Sequence, residues 1–287
     1  MKNPTLKDII STATARLSKA GVDSPALSAQ LLAEKVFGLD RLGLIMEMGR
    51  AVDIEAAARF EVLVQRRAAG EPVAYILGIK GFYGLDFKVG PGVLIPRPET
   101  EEMVEKVQDS FDRNAEFFFA DFGTGSGILA VTVAVLFPSA RGIALDLSPE
   151  AMTLARENAV QHGVADRVQF VRADFNKPVL AMESMDLIMA NPPYLSEAEL
   201  QEVSFEVSQF EPVSALVGGA VGDEDIRASV PLIAGALKKG GTVFMEIGYL
   251  QGRAARDIFE SCAEFSGSVD VLADLSGHDR IVVAKKK

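Results

Sequence analysis

From residue 97 onward, short apolar runs alternate with longer stretches of helical periodicity. The apolar runs are FFFAD (117–121), RGIALD (141–146), VQFVRAD (168–174), MDLIMAN (185–191), GTVFMEI (241–247), SVDVLAD (268–274) and RIVVA (280–284). Amphipathic segments such as PEAMTLARENAVQHG and EDIRASVPLIAGALKK lie between most of them. Parallel strands need a long crossover, and a helix is the usual one. The pattern therefore predicts an α/β fold: a Rossmann-like, mostly parallel, seven-stranded sheet with helices on both faces. Only DLSGHD separates the last two strands, too little for a crossover, so the last strand is predicted antiparallel to the one before it.

Residues 1–72 read instead as a small all-α domain. Leu6, Ile9, Ile10, Ala13 and Leu17 recur at helical spacing. Ser24 and Pro25 form an N-cap and a first-turn proline for a second helix. Asp53 can cap a third long helix that Gly70 and Pro72 stop. Residues 73–96 are rich in glycine and β-formers and read as a connector with a β-hairpin around Gly84, leaving residues 97–287 for the α/β domain.

No apolar run is long enough to cross a bilayer and the N-terminus has no signal-peptide core, so a cytoplasmic protein is expected. The formal net charge of -11 repels a phosphate backbone, which favours a protein or small-molecule substrate over nucleic acid. Cys262 is the only cysteine, read as a buried thiol in a helical pattern, and His162 and His278 are the only histidines. A zinc site of Cys and His, or a His-based triad, is therefore not expected. Lys285, Lys286 and Lys287 read as a solvated tail.

The segment DFGTGSG follows the first predicted strand and opens a helix. Gly123, Gly125 and Gly127, with Thr124 and Ser126 between them, permit a tight turn and close approach of a ligand to the backbone. No GK[ST] follows, so this is not a Walker loop. Asp146 ends the second strand, where a carboxylate can accept from both ribose hydroxyls of a nucleoside. Ser148 can cap the next helix and so leaves Asp146 free. Asp174 can bind an adenine amino group, and the Phe175 ring can pack on the base. Asp121, Asp146 and Asp174 also suit a divalent metal, but one acid per strand end fits a nucleoside laid across the sheet better. A nicotinamide dinucleotide would satisfy the same features.

NPPY (191–194) ends the fourth strand and separates these cofactors. The side-chain oxygen of Asn191 and the backbone carbonyl of Pro192 are two acceptors, and Pro192 and Pro193 lock the backbone that aims them. Tyr194 offers a flat face to a planar group. Such a pair binds an NH2 group, helps localise its lone pair and stabilises positive charge growing on nitrogen. Hydride transfer needs none of this. Methyl transfer from S-adenosylmethionine (SAM) to an amide or exocyclic amine does, and in-line displacement asks mainly for alignment.

Read together, GEPVAYILG, FYGLDFKV, VLIPRPETEE, DFGTGSG, DLSPEAMTLARENA, NPPY, FEPVSALVGG and DLSGHDRIVVA resemble the HemK/PrmC family of release-factor glutamine methyltransferases along nearly the whole chain. NPPY and the glycine loop occur widely in amino-methyltransferases, whereas PRPETE and EP..AL..GG are far more specific. The resemblance implies a helical substrate-recognition domain, a class I SAM-dependent methyltransferase domain and the cofactor S-adenosyl-L-methionine. It implies that the partner is a peptide-chain release factor and the substrate the glutamine of its GGQ tripeptide. The glycine loop, Asp146, Asp174 and Phe175 would hold cofactor, with Asn191 beside it, while Asn191, Pro192, Pro193 and Tyr194 would hold the glutamine amide. Arg97, Glu99 and Thr100 should lie near the active site. A monomer is expected, without membrane, metal or nucleic acid. Phe210 stands where family members commonly have Tyr, and AVGDED replaces a DGL-like stretch. Two rivals remain. One is a nucleic-acid adenine or guanine methyltransferase, which would need a basic groove. The other is a SAM-binding module without turnover, whose expected mark is an altered NPPY.

Overall fold

The computed structural model describes residues 4–287, which form two compact units. The first runs to Ile79 and takes in Ser204–Phe210. It contains α1 (Leu6–Lys19), α2 (Pro25–Phe37), α3 (Arg41–Met46), α4 (Ile54–Ala68) and α5 (Val73–Leu77) around Leu6, Leu17, Leu32, Leu44, Phe60, Val64 and Ile76. Thr5 and Asp8 close a capping box on α1, and Asp53 accepts from Ala56 N at 2.7 Å to cap α4. Ser24 precedes α2, but its side chain makes no capping bond, so the proline at the first turn is the start signal there. The short α3 has no sequence expectation behind it. Asp40 caps it, with Gly43 N donating at 2.7 Å.

The span read as a connector divides. Val73–Leu77 is helical, and Ile76 is buried in the helical core. Strands β1 (Ile79–Phe82) and β2 (Leu85–Lys88) form the hairpin, turning at Tyr83 and Gly84, both with positive φ. Phe82 and Phe87 are fully buried in the core of the second unit, beside Leu129 and Phe137, so the hairpin belongs to that core.

The second unit, Lys80–Val203 with Glu211–Lys287, is built on a seven-stranded sheet. After α6 (Glu101–Ser110) come β3 (Phe118–Phe122), α7 (Ile128–Leu136), β4 (Arg141–Asp146), α8 (Pro149–Gln161), β5 (Val168–Arg172) and β6 (Met185–Ala190). A short pair follows, β7 (Leu195–Ser196) with β8 (Val217–Gly219), the helix α9 (Phe205–Phe210) falling between them in sequence. The chain ends in α10 (Glu224–Ala236), β9 (Leu237–Glu246), α11 (Gly252–Glu260), β10 (Val269–Ala273) and β11 (Asp279–Lys285). The spatial order is β10-β11-β9-β6-β3-β4-β5. Pairing is parallel from β9 to β5, and β11 is antiparallel to both β9 and β10.

Alternation in the strands feeds two cores. Phe119, Leu187 and Met189 face α6, α7 and α8, whereas Ala120, Phe122, Ile188 and Ala190 face α10 and α11. The chain steps outward from β3 in both directions, through β4 and β5 on one side and β6 and β9 on the other. The ends of β3 and β6 therefore flank the switch point, where doubly wound sheets bind ligands.

Two local expectations fail. The lysines at the end are not a free tail: Lys285 is in β11, and buried Lys286 donates to Leu237 O at 2.7 Å and pairs with Glu183 at 3.4 Å. Cys262 follows α11 in a turn, is only partly buried, and donates to Glu264 at 3.1 Å. No described helix is long and apolar enough to cross a membrane.

Candidate active site

A cavity of about 190 Å³ opens across the ends of β3, β4, β5 and β6. Gly123, Thr124, Gly125, Ser126, Asp146, Asp174, Phe175, Asn191, Pro193, Arg97 and Thr100 all line it. Gly127, Glu99, Pro192 and Tyr194 do not.

The glycine loop is shaped by its own backbone. Gly123, Gly125 and Gly127 have φ of 71°, 56° and 86°, a region costly for any residue with a Cβ. Gly127 is excluded from the cavity for a packing reason. A Cβ there would lie 3.1 Å from Ala155 Cβ, so it is the residue that lets α8 approach the loop. Thr124 N donates to Leu145 O at 2.9 Å, and Gly125 N donates to Asp146 Oδ2 at 2.9 Å. Ser148 N donates to the other oxygen of Asp146 at 2.9 Å, while the Ser148 hydroxyl caps α8 through Ala151 N at 3.1 Å. Ser148, not Asp146, thus caps α8. The Asp146 carboxylate is oriented by one N–H on each oxygen, and burial raises its pKa against those two bonds.

Asp121 brings an incompletely satisfied carboxylate to the cavity. Its Oδ2 accepts from the Thr124 hydroxyl at 2.6 Å and from Ala130 N at 3.1 Å, but its Oδ1 is buried without a partner. Burial pushes its carboxyl up to about 7. Such an orphaned oxygen suits a cationic ligand group. Phe175 stacks on Phe122 with ring centroids 5.7 Å apart and lies next to Gly123. Asp174 accepts from Asn176 N at 2.9 Å, and Asn176 in turn donates to Asp225 at 2.6 Å. Burial raises the pKa of Asp225, with the Asn176 bond opposing. Asp225 closes the AVGDED departure, whose last residue so lies on the Asp174 side of the cavity. Phe210, the other departure, is counted with the helical unit. Among the described residues no three His, Cys, Asp or Glu side chains gather as a metal site requires.

The other end of the cavity is held by long-range bonds. Ala190 is level with Met245 in the register of β6 and β9, so Asn191 and Glu246 leave their strands side by side. Asn191 Nδ2 donates to Thr100 Oγ1 at 3.3 Å, and Thr100 Oγ1 donates to Glu246 Oε2 at 2.7 Å. Buried Glu211 accepts from Ile95 N at 2.9 Å and from Arg97 at 2.6 Å. PRPET and the EP of FEPVSALVGG are therefore two halves of one latch. The first glycine of that second motif has a steric reason, as does the glycine of the AVGDED stretch. A Cβ on Gly218 would lie 2.3 Å from Pro193 O, and one on Gly222 would lie 2.5 Å from Tyr194 O. Pro192 is buried, and the Tyr194 ring turns toward Gly248, with its phenol pushed up to about 12 by burial. Gln251 donates to Tyr194 O at 2.9 Å and Gly222 O at 3.0 Å, bracing the exit from NPPY.

Sequence reasoning missed Glu211, Glu246 and Gln251. It also missed Asn158, which is buried and bonds Ser126 O at 2.8 Å and Lys88 on both its N–H and carbonyl. Glu246 had an available signal, a polar residue closing the apolar run TVFME of β9; the others had none.

Both parts of the chain have counterparts among known proteins. Residues 8–78 match the model of the PrmC N-terminal domain, and residues 119–210 match that of a methyltransferase domain. A release factor glutamine methyltransferase of Nitratidesulfovibrio vulgaris is 42% identical, over 98% of this chain and 95% of that protein. One from Moorella thermoacetica is 39% identical over 99% of both. Among solved structures, a methyltransferase from Pyrococcus furiosus has the same fold, with TM-score 0.53 and 18% identity over 72% of this chain and 91% of that one.

Proposed function

Because this chain belongs to the release factor glutamine methyltransferase family, we propose that it methylates the side-chain amide nitrogen of the GGQ glutamine in a peptide-chain release factor, using S-adenosyl-L-methionine. The observation that carries this reading is a single cavity running from Asp146 and Asp174, past the glycine loop, to Asn191. A nucleoside end and an amide-binding end share one space, as direct transfer between two bound molecules requires.

The residues present fit the cofactor. Asp146 would accept from the ribose hydroxyls, Asp174 and Phe175 would meet the base, and the orphaned Asp121 Oδ1 would take an ammonium group. When bound, SAM supplies an electrophilic methyl on a sulfonium, a good leaving group. The protein's task is alignment. Asn191 Oδ1 would accept one amide hydrogen, and Pro192 O, which does not line the cavity in this structure, would accept the other as the substrate seats. In the transition state they would stabilise the positive charge growing on nitrogen, which would be shed with a proton to water. Tyr194 stays a neutral phenol through the working pH range. The acidic net charge supports a protein substrate, and the enzyme is read as a cytoplasmic monomer whose helical unit orients the release factor.

Radiolabelled SAM mixed with purified release factor tests this. Label should enter the intact factor and not one whose GGQ glutamine is replaced. Equal labelling of both would remove the glutamine as acceptor.

A further inference from the structure

We propose that Glu246, acting through the Thr100 hydroxyl, sets which end of the Asn191 side-chain amide faces the substrate; this rests on the methyl-transfer reading above. The two ends of an Asn amide are nearly the same shape, so packing alone does not choose between them. Only one choice is productive. With Oδ1 toward the cavity, the residue accepts from the substrate NH2. Reversed, it would set one N–H against another.

The hydrogen-bond chain makes the choice. A hydroxyl has one proton and two lone pairs. An ionised Glu246 can only accept, so the single Thr100 proton goes to Glu246 Oε2, at 2.7 Å. Thr100 Oγ1 is then left only lone pairs for its other neighbour. Asn191 must meet it with Nδ2, at 3.3 Å, and Oδ1 is turned the other way. The carboxylate thus acts two residues removed from the substrate, as a positioning group. Thr100 and Glu246 are each about 1% exposed, so water does not compete for these bonds.

Protonation of Glu246 would undo the constraint. A carboxylic acid can donate to Thr100, whose proton is then free for Asn191 Oδ1. The groups around Glu246 keep this within reach of ordinary pH. Burial pushes its carboxyl up to about 7. The Thr100 bond opposes that, as do Arg280 from β11 and Arg97 from the PRPET segment, while Glu99 adds to it. Tyr194 also faces this carboxyl, and Arg280 is shared with Asp274 at 3.2 Å. The productive polarity is therefore held above about pH 7 and released below it.

The test uses the full chain, SAM and release factor. Thr100→Val keeps the shape and removes the hydroxyl. It should lower kcat about 10- to 100-fold, as loss of an orienting partner behind a first contact does. KM for the factor and SAM affinity by calorimetry should stay near wild type, and Thr100→Ser should rescue. Wild-type single-turnover rate should fall as pH drops through about 7, and Glu246→Gln should erase that fall. Wild-type kcat in Thr100→Val, a Thr100→Ser variant equally slow, or an inflection that persists in Glu246→Gln would each overturn the proposal. If wild-type protein transfers no methyl to release factor, the methyl-transfer reading fails, and NMR of the protein alone still decides this one. The Asn191 side-chain NH2 signal, identified by its loss in Asn191→Ala, should move between pH 6 and 8 in wild type and stay fixed in Glu246→Gln. A signal that behaves alike in both would end the proposal.

Discussion

The glycine loop and Asn191 sit in one cavity but are held by different kinds of bond. The loop is braced by partners 3, 9, 21 and 32 residues away along the chain: Thr124 on Asp121, Ala130 on Asp121, Gly125 on Asp146 and Asn158 on Ser126. Asn191 is held across 91 residues by Thr100, and Thr100 across 146 by Glu246. The Arg97–Glu211 latch beside them spans 114. One end of the site is a property of the βαβ unit that carries it. The other exists only once distant segments have docked. The cofactor end should therefore survive changes that disable the reacting end, and two substitutions and a pH series can break or sharpen that separation.

The largest effect should come from Asn191→Ala. It removes an acceptor that matters most in the transition state and leaves the loop's braces intact. Turnover should fall on the order of 100- to 1000-fold. SAM affinity by calorimetry should change little. A large loss of SAM binding in this variant would show that the two ends are one unit after all.

Asp146→Ala is the reciprocal experiment. It strips Gly125 N and Ser148 N of their acceptor and removes the acid proposed for the ribose. SAM affinity should weaken by about 1–3 kcal/mol, the scale of hydrogen bonds to a charged group. At saturating SAM the turnover should recover most of its wild-type value. A saturated rate as low as that of Asn191→Ala would break the comparison from this side.

The smallest effect is in stability against pH, and both ends contribute. Asp121 and Glu246 each have a folded-state pKa raised to about 7 from 3.8 and 4.5. The folded protein holds these protons more tightly than the unfolded chain does. Their contribution to stability is therefore complete below about pH 4 and lost as pH rises through about 7. Thermal unfolding followed between about pH 5 and 8 should show the midpoint falling, and Asp121→Asn and Glu246→Gln should each flatten the slope. Saturating SAM should cancel the Asp121 share by giving its orphaned oxygen a cation, and leave the Glu246 share. Loss of both shares on SAM binding would mean that the cofactor reaches the Asn191 end electrostatically.

The same contrast in contact range marks what the chain's sequence could disclose. Strand and helix alternation, the glycine loop, the cap at Ser148 and the antiparallel last strand are all set by residues close together in sequence. They can be read from propensity, spacing and turn chemistry. NPPY is legible as a motif for the same reason, since proline fixes its backbone locally. The sequence also assigned Pro192 and Tyr194 to the reacting end, yet neither lines the cavity as the structure stands. Which way a residue faces after a strand depends on what packs against it. Gly218, Gly222 and Gln251 crowd the backbone after Asn191 and turn Tyr194 toward Gly248. The hairpin's membership in the catalytic core, the Arg97–Glu211 latch and the Asn191–Thr100–Glu246 chain were likewise decided only by tertiary structure. The bonded partners are far apart in sequence, at 70 residues for Lys88 and Asn158, 114 for Arg97 and Glu211 and 146 for Thr100 and Glu246. A local pattern can say that a polar residue in an apolar strand needs a partner, but the register of the folded sheet supplies the partner's identity.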